Sequence, residues 1–168
     1  MPRGLAPADF RLPGAGGCSS IAAGCFLHGF FRGVIVTAET PHAFEGRTLG
    51  PLESRFVDVA ALPWKDTPVK GVEMKILLQD KESGLMTALF RWAPGTELPL
   101  HEHVEIEQTY VLEGSIVDEE GEVLAGNYVW RPPGHRHVAR APNGALVLAF
   151  FLHPNKFVSD ELNGQLLE

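Results

Sequence analysis

Glycine and proline divide the chain from Phe56 onward into short segments that have the patterns of β-strands. Residues 72–76 alternate apolar and polar side chains, as a strand with one buried face does. After a turn at residues 80–84, residues 85–92 continue as a mostly apolar strand, so the two segments predict a hairpin. About eight or nine such strands follow one another at the spacing of an antiparallel sandwich or barrel, which predicts an all-β fold.

The length of the chain limits the number of domains. Its 168 residues, 45% of them hydrophobic, suffice for one domain with a proper core. We expect that domain to span residues 51–158, after an irregular, partly strand-forming extension over residues 1–50 and before a short tail over residues 159–168. Residues 12–31 carry no Asp, Glu, Lys or Arg, but glycine, serine and histidine dilute their apolar character too much for a membrane span.

Two features bear on the compartment. The two cysteines, Cys18 and Cys25, form no C-x-x-C pair, which is typical of a protein of the reducing cytoplasm. The alternative is secretion, because Arg3 and Arg11 precede a short apolar stretch at residues 21–31, as in a signal peptide. We predict a cytoplasmic protein and keep secretion as the minor alternative.

The net charge of the chain limits the classes of partner that it can bind. A net charge of −7 lacks the basic footprint that phosphate contacts require, which argues against nucleic acid. The sequence also contains no serine-centred elbow and no glycine-rich phosphate loop, so nothing supports nucleophilic catalysis. We expect a small-molecule partner.

The segment HEHVEIE at residues 101–107 concentrates side chains that bind metals. Along a strand, residues i, i+2 and i+6 project to one side, which would bring His101, His103 and Glu107 together. Alternatively, a turn near residues 104–105 brings Glu107 in from a neighbouring strand. The competing interpretation is a chance His-x-His pair on a solvated acidic face.

A second pair of histidines follows the Pro-Pro-Gly turn. His135 and His137 share a face if that segment is extended, so a third imidazole is available from a distant strand. Three imidazoles and one carboxylate are donors suited to Fe(II), Mn, Ni or Zn. The pattern therefore predicts a metal site with positions open to water or substrate.

The spacing of these residues strengthens the metal interpretation. The first motif, G-x5-H-x-H-x3-E-x6-G, runs from Gly95 to Gly114. The second, G-x5-P-x-G-x2-H-x3-N, runs from Gly126 to Ala141, which stands where the pattern has Asn. Together the motifs resemble the two-part signature of the cupin superfamily, and the resemblance covers about residues 56–157.

This resemblance implies a single antiparallel jelly-roll β-barrel, a monocupin, with one divalent metal ion inside it. Carried over by position, the metal ligands are His101, His103, Glu107 and His137. His135 falls at a variable position and is left to a supporting or solvent-facing role. Fe(II) is favoured, with Zn, Mn or Ni as alternatives.

The same assignment fixes which side chains of the strand after Glu107 point inward. Thr109 and Val111 should follow Glu107 into the barrel, whereas Tyr110 and Leu112 should face outward. Apolar side chains on an outer face need a covering surface. Cupins often dimerise through such surfaces, so the resemblance implies a homodimer.

Two arginines are candidates for substrate binding. Arg91 and Arg131 lie on strands near the motifs, and either could point into the barrel and hold an anionic or carbonyl substrate. The alternative for each is an outward arginine in a surface ion pair. Glu102 and Glu105 are expected to be rim charge.

Three functions are compatible with the signature. Residues 107–114 and 130–134 resemble single-domain acetylacetone-cleaving and dihydroxyacetophenone dioxygenases, which implies a non-haem iron oxidoreductase that cleaves a C–C bond of a small diketone or hydroxylated aromatic ketone. The second is a zinc-binding sensor or regulatory module, as in the cupin domain of anti-sigma factors. Those factors also have a helical sigma-binding domain, and the glycine-rich residues 1–50 lack its helical pattern, which favours the enzyme. The third is a sugar isomerase or epimerase.

Overall fold

The computed structural model describes residues 36–158 and Leu162. The expectations for residues 1–35, an extension or a secretory signal, lie outside the described residues, as does most of the predicted tail.

The described residues form ten β-strands and no helix, which confirms the all-β prediction. They are β1 (Lys65–Asp66), β2 (Val72–Asp80), β3 (Leu85–Trp92), β4 (Thr96–Glu102), β5 (Glu107–Val117), β6 (Glu122–Leu124), β7 (Tyr128–Arg131), β8 (Arg136–Ala141), β9 (Ala145–Phe151) and β10 (Lys156–Phe157). Accordingly, residues 36–158 include no helix of the length and apolarity that crossing a membrane requires.

The strands pair in one curled antiparallel sheet, in the order β1-β2-β3-β9-β5-β8-β4-β10. The longest strand, β5, belongs to both walls of the curl: its first part, residues 107–114, pairs with β9, and residues 115–117 pair with β6. The short strand β7 also pairs with the first part of β5. The result is the half-barrel of a jelly roll, as the motifs implied.

The glycine that ends the first motif allows β5 to change walls. Gly114 has a φ of 68°, which L side chains rarely adopt, and it lies next to the start of the β6 pairing. A Cβ at this position would come 2.0 Å from the carbonyl oxygen of Gly144. Both the backbone conformation and the close approach therefore require glycine.

The core lies inside the curl and follows the period-two pattern of the sequence. On β3 the inward side chains are Met86, Ala88, Phe90 and Trp92, all buried. Facing residues on β9 are buried in the same way, and the rings of Phe90 and Phe151 meet edge to face with centroids 5.9 Å apart. The predicted β2–β3 hairpin is confirmed, with one register shift after Ile76.

The outer face of β5, β7 and β9 is apolar and partly exposed. Tyr110 and Leu112 are 40% and 41% exposed, while Thr109 and Val111 are buried, which confirms the predicted alternation. Tyr110 pairs across the sheet with Leu148 on one side and with Tyr128 on the other, so the outward side chains form a continuous row.

The start of the described region lies against the outer edge of β2. Backbone groups of Glu39 and Gln79 exchange two hydrogen bonds, of 2.7 and 2.8 Å, and the Thr40 hydroxyl donates to the carbonyl oxygen of Leu77. Residues 39–40 thus cover part of a strand edge that β1 leaves open, since β1 pairs only with Glu73 and Met74.

Candidate metal centre

Three buried histidines come together where β4 and β8 pair. His101 lies opposite His137 in the register of the two strands, next to an irregularity in the pairing after Leu98. One nitrogen of each ring of His101, His103 and His137 lies within 4.8 Å of the others, and all three residues are buried. Nitrogen ligands about 2.0–2.1 Å from one tetrahedral ion lie about 3.3 Å from each other, so this cluster could hold a metal ion after small movements of the rings.

Hydrogen bonds fix the orientation of two of the rings. Nδ1 of His101 lies 2.9 Å from the carbonyl oxygen of Pro99, to which it can only donate. Nδ1 of His137 donates to Oδ2 of Asp118 at 3.0 Å. Both bonds place the proton on Nδ1 and leave the Nε2 lone pair free, as is usual for metal-binding histidines.

His103 supplies the observation that best tests the fit to a metal ion. It is fully buried, and neither ring nitrogen has a hydrogen-bond partner among the described residues. An unsatisfied buried polar group costs about 1–3 kcal/mol. A bound cation would give the lone-pair nitrogen of His103 a partner, so the residues present fit a divalent metal ion.

Glu107 lies beside this cluster. Its Oε2 is 3.3 Å from Nδ1 of His103 and accepts a short hydrogen bond from the amide of Asn155, while Oε1 accepts one from the Thr109 hydroxyl at 2.8 Å. The carboxylate is thus oriented from two sides. Its role as a fourth ligand stays a prediction, because the group of three close nitrogens does not include it.

The protonation states suit metal binding. Burial lowers the pKa of His103 to about 4, and burial together with the nearby Arg131 lowers that of His137 to about 3. Burial raises the pKa of Glu107, but His103 and the Asn155 hydrogen bond outweigh it and leave the pKa below its usual range. At neutral pH the site therefore presents neutral imidazoles and a carboxylate.

Asp118 is a site residue that sequence reasoning missed. Its Oδ1 accepts hydrogen bonds from the backbone N–H groups of Glu120 and Gly121, and its Oδ2 accepts from His137 and from Nη2 of Arg131 at 2.5 Å. Burial raises the Asp118 pKa, but these bonds and the Arg131 charge lower it to about 2. Aspartate before Glu-Glu-Gly signals a turn, and only the fold reveals what its second oxygen holds.

The two candidate arginines lie in different places. Arg131 is 6% exposed and lines the cavity beside the histidines. The Arg91 side chain is 49% exposed on the outer face, where it pairs with Glu73 at 2.7 Å and lies over the Trp64 ring. The structure thus brings Arg131, and not Arg91, to the histidines.

The remaining polar residues of the two motifs lie at the rim. His135 stacks near His103 and His137, with ring centroids 5.5 and 5.1 Å away, and its Nε2 lies 3.3 Å from Glu120. Glu102 pairs with Arg136, in agreement with its expected place as rim charge.

A cavity of about 40 Å³ opens inside the barrel against His101, His137 and Arg131. Most of its other lining is apolar: Phe90, Trp92, Leu98, Ile116, Val147 and Phe151. The arrangement can hold a cation at one side of a small apolar space, with one buried guanidinium beside it.

Comparison with known proteins places the chain in a family. Residues 52–155 match the model of the ChrR Cupin-like domain. A search of curated proteins found no match.

Several solved structures share the fold. A proposed acetylacetone dioxygenase from Methylibium petroleiphilum PM1 aligns with a TM-score of 0.62 and 21% identity, over 72% of this chain and 92% of that one. An acetylacetone dioxygenase from Acinetobacter johnsonii aligns with a TM-score of 0.58 and 17% identity, over 73% and 88%. An RmlC-like cupin protein from Ralstonia eutropha JMP134 aligns with a TM-score of 0.58 and 21% identity, over 66% and 76%. At these identities the likeness shows the fold alone.

Proposed function

This chain belongs to the family of ChrR cupin-like domains, and we propose that it is a metal-dependent dioxygenase that cleaves a C–C bond of a small diketone or hydroxylated aromatic ketone. The observation that carries the proposal is the buried group of three neutral histidines at the side of an apolar cavity. His101, His103 and His137 would hold Fe(II), with Glu107 as the fourth ligand.

The chain's own residues divide the work. The three imidazoles and Glu107 bind and orient the ion, and Asp118 keeps His137 in the tautomer that presents Nε2. When bound, the metal supplies Lewis acidity and a path for electrons between substrate and oxygen. The apolar walls keep bulk water from the reacting carbon atoms, and the small cavity admits only a compact substrate.

Charge supports a divalent cation at this place. The largely buried side chains of Glu107 and Asp118, 12% and 6% exposed, carry one negative charge each, and Arg131 carries one positive charge, so the site without a cation has a net negative charge. Buried charge of one sign is costly unless it is compensated. A divalent ion makes the net charge of the site positive, which favours binding of an anionic ligand.

The test combines metal analysis with oxygen uptake. The protein is purified without added metal, its bound elements are measured, and the Fe(II) and Zn(II) forms are each offered a panel of β-diketones and hydroxylated aromatic ketones. We expect oxygen consumption by the Fe(II) form only, and only with a substrate that can form an enolate or phenolate, because zinc has no accessible redox change. Absence of uptake across the panel contradicts the proposal.

The family assignment favours a second function, a zinc-binding sensor or regulatory module. In that case the purified protein carries zinc, and reconstitution with iron gives no oxygen uptake. A redox-inert ion in the histidine site would then serve to stabilise a binding surface. Removing zinc should change binding of a partner protein and not the turnover of a substrate.

We further propose that two copies cover the apolar outer face of β5, β7 and β9, so that the working unit is a homodimer. Aromatic side chains such as Tyr128 and Trp130, 50% and 57% exposed, are of the kind enriched in interface cores. The cytoplasmic location and the domain bounds at residues 51–158 stand as proposals beside it.

A further inference from the structure

We propose that Arg131 forms an oxyanion subsite beside the three histidines, and that this subsite selects a compact monoanion that presents one enolate or phenolate oxygen to the guanidinium. The inference deepens the proposed function and rests on it for the divalent cation. Its starting point is a buried hydrogen-bond donor that no residue of the described chain accepts from.

That donor is Nε of Arg131. The side chain ends β7 opposite Glu107, and its Nη2 donates to Asp118 at 2.5 Å. Its Nε is buried and has no hydrogen-bond partner among the described residues, although the side chain lines the cavity with His101 and His137. Leaving an N–H of a charged group unpaired is costly, so an oxygen atom of a ligand is its natural acceptor.

The charge of the subsite fixes the charge of the ligand. With a divalent ion on the histidines, Arg131, its ion-pair partner Asp118 and the Glu107 carboxylate, which accepts both of its hydrogen bonds, leave one positive charge in the site. A monoanion brings the site to neutrality, whereas a neutral ligand leaves a buried charge and a dianion creates one of the opposite sign. The site therefore favours a ligand with one negative charge.

The geometry of the guanidinium bears on the kind of anion. A carboxylate is best recognised by two parallel N–H groups, such as Nε and Nη2 of one arginine. Asp118 already engages Nη2, and the turn that ends β5 holds Asp118 by two backbone hydrogen bonds. With Asp118 on Nη2, the buried Nε–H is the donor that lacks a partner among the described residues, and one N–H matches one enolate or phenolate oxygen.

The cavity limits the body of the ligand. At about 40 Å³ it has room for about three water molecules, so the buried part of the ligand is a few non-hydrogen atoms. Its walls of aromatic and aliphatic side chains suit methyl or methylene groups. A small β-diketone enolate has this combination of one delocalised charge and a compact apolar body.

The inference is tested by binding to the zinc form, in which no turnover complicates the measurement. Acetylacetone is titrated into zinc-loaded protein, with enolate formation followed by ultraviolet absorbance and proton release by calorimetry. Arg131→Gln and Arg131→Lys are compared with the wild type. The matched control is Arg91→Gln, which removes an arginine from the outer face of the same barrel.

We expect Arg131→Gln to weaken enolate binding by about 10- to 100-fold, the effect of losing one charge-assisted hydrogen bond, and to raise the pH at which bound enolate forms. Arg91→Gln should bind as the wild type does. Propionate, a carboxylate of similar size, should bind more weakly than acetylacetonate to the wild type.

Unchanged acetylacetonate binding in Arg131→Gln overturns the inference, as do equal losses in Arg91→Gln, a preference for propionate, or absence of binding to the wild type. Should Arg131→Gln lose zinc, Arg131→Lys carries the comparison, because it keeps a cation beside Asp118 but lacks Nε. Loss of zinc in both variants also overturns the inference, since Arg131 would then support the metal alone.

The outcome is separable from that of the proposed function. Binding of acetylacetonate that depends on Arg131, without oxygen uptake by the Fe(II) form, supports the subsite and contradicts the dioxygenase. Oxygen uptake by the Fe(II) form, with unchanged acetylacetonate binding in Arg131→Gln, supports the dioxygenase and contradicts the subsite.

Discussion

The inner face of β5 buries a carboxylate beside histidines, while its outer face leaves aromatic and aliphatic side chains half exposed. Inside, Glu107 accepts hydrogen bonds from Thr109 and Asn155; outside, Tyr110 and Leu112 meet solvent in the described chain. Both faces reverse the common distribution, in which polar groups lie outside and apolar groups inside. The two reversals differ in what they suit: the inner one suits a bound cation, and the outer one suits a covering surface.

The largest expected effect comes from replacing a histidine beside the inner face of β5. Replacing His103 with Ala removes the buried imidazole whose two nitrogens make no hydrogen bond to the described residues, so we expect loss of most bound metal, measured by elemental analysis. Glu107→Gln should weaken retention less, because an amide oxygen remains. The control is His42→Ala, an exposed histidine outside the site, and full metal content in His103→Ala would disprove the assignment.

The second prediction breaks the outer face alone. Trp130→Glu places a charge on the apolar outer face, so we expect the homodimer to dissociate, as measured by light scattering, while the bound metal stays. Leu52→Glu, at a site that is 85% exposed and away from the strands, should leave the dimer intact. A wild-type protein that is already monomeric contradicts the prediction.

The third prediction concerns the pH dependence of stability that the buried histidines of the inner face should cause. The folded-state pKa values of His103 and His137, about 4 and 3, lie below the ordinary value of 6.5, so the unfolded chain binds more protons between these limits. The metal-free protein should therefore lose stability as the pH falls from 6.5 toward 4, measured as a declining melting temperature. His103→Gln should show a shallower decline, and an equal slope would contradict the burial argument.

The smallest expected effect comes from removing the segment that covers part of the outer edge of β2. A chain that begins at Leu52 lacks the two backbone hydrogen bonds between Glu39 and Gln79, but it keeps all ten strands. We expect it to stay soluble, dimeric and metal-binding, with a melting temperature a few degrees lower. Aggregation would show instead that the lost segment protects the β2 edge from pairing with other chains.

The fold was predictable because its signals are local. Period-two alternation and the glycine and proline turns marked the β2–β3 hairpin, and the two motifs placed three histidines that the structure brings together. The inward and outward sides of β5 followed from parity alone.

The parts that sequence reasoning missed depend on long-range register. Asp118 reaches His137 only because β5 crosses to the second wall, where Val117 pairs with Arg140. Likewise, aromatic residues precede both arginines, so polarity did not show which side of its strand each arginine takes; in the structure Arg91 lies on the exposed side of β3 and Arg131 on the buried side of β7.

The turn between β5 and β6 has a further consequence for how this chain can vary over evolution. Asp118 takes two hydrogen bonds from the turn backbone and gives its other oxygen to His137 and Arg131. The exposed side chains of Glu119 and Glu120 contact Arg140 and His135 and not the three clustered histidines, so their identities are less constrained than that of Asp118. Insertion or deletion of a single residue there, however, would move the carboxylate of Asp118 away from the site. The length of this loop should therefore vary less among related proteins than the identities of its other residues.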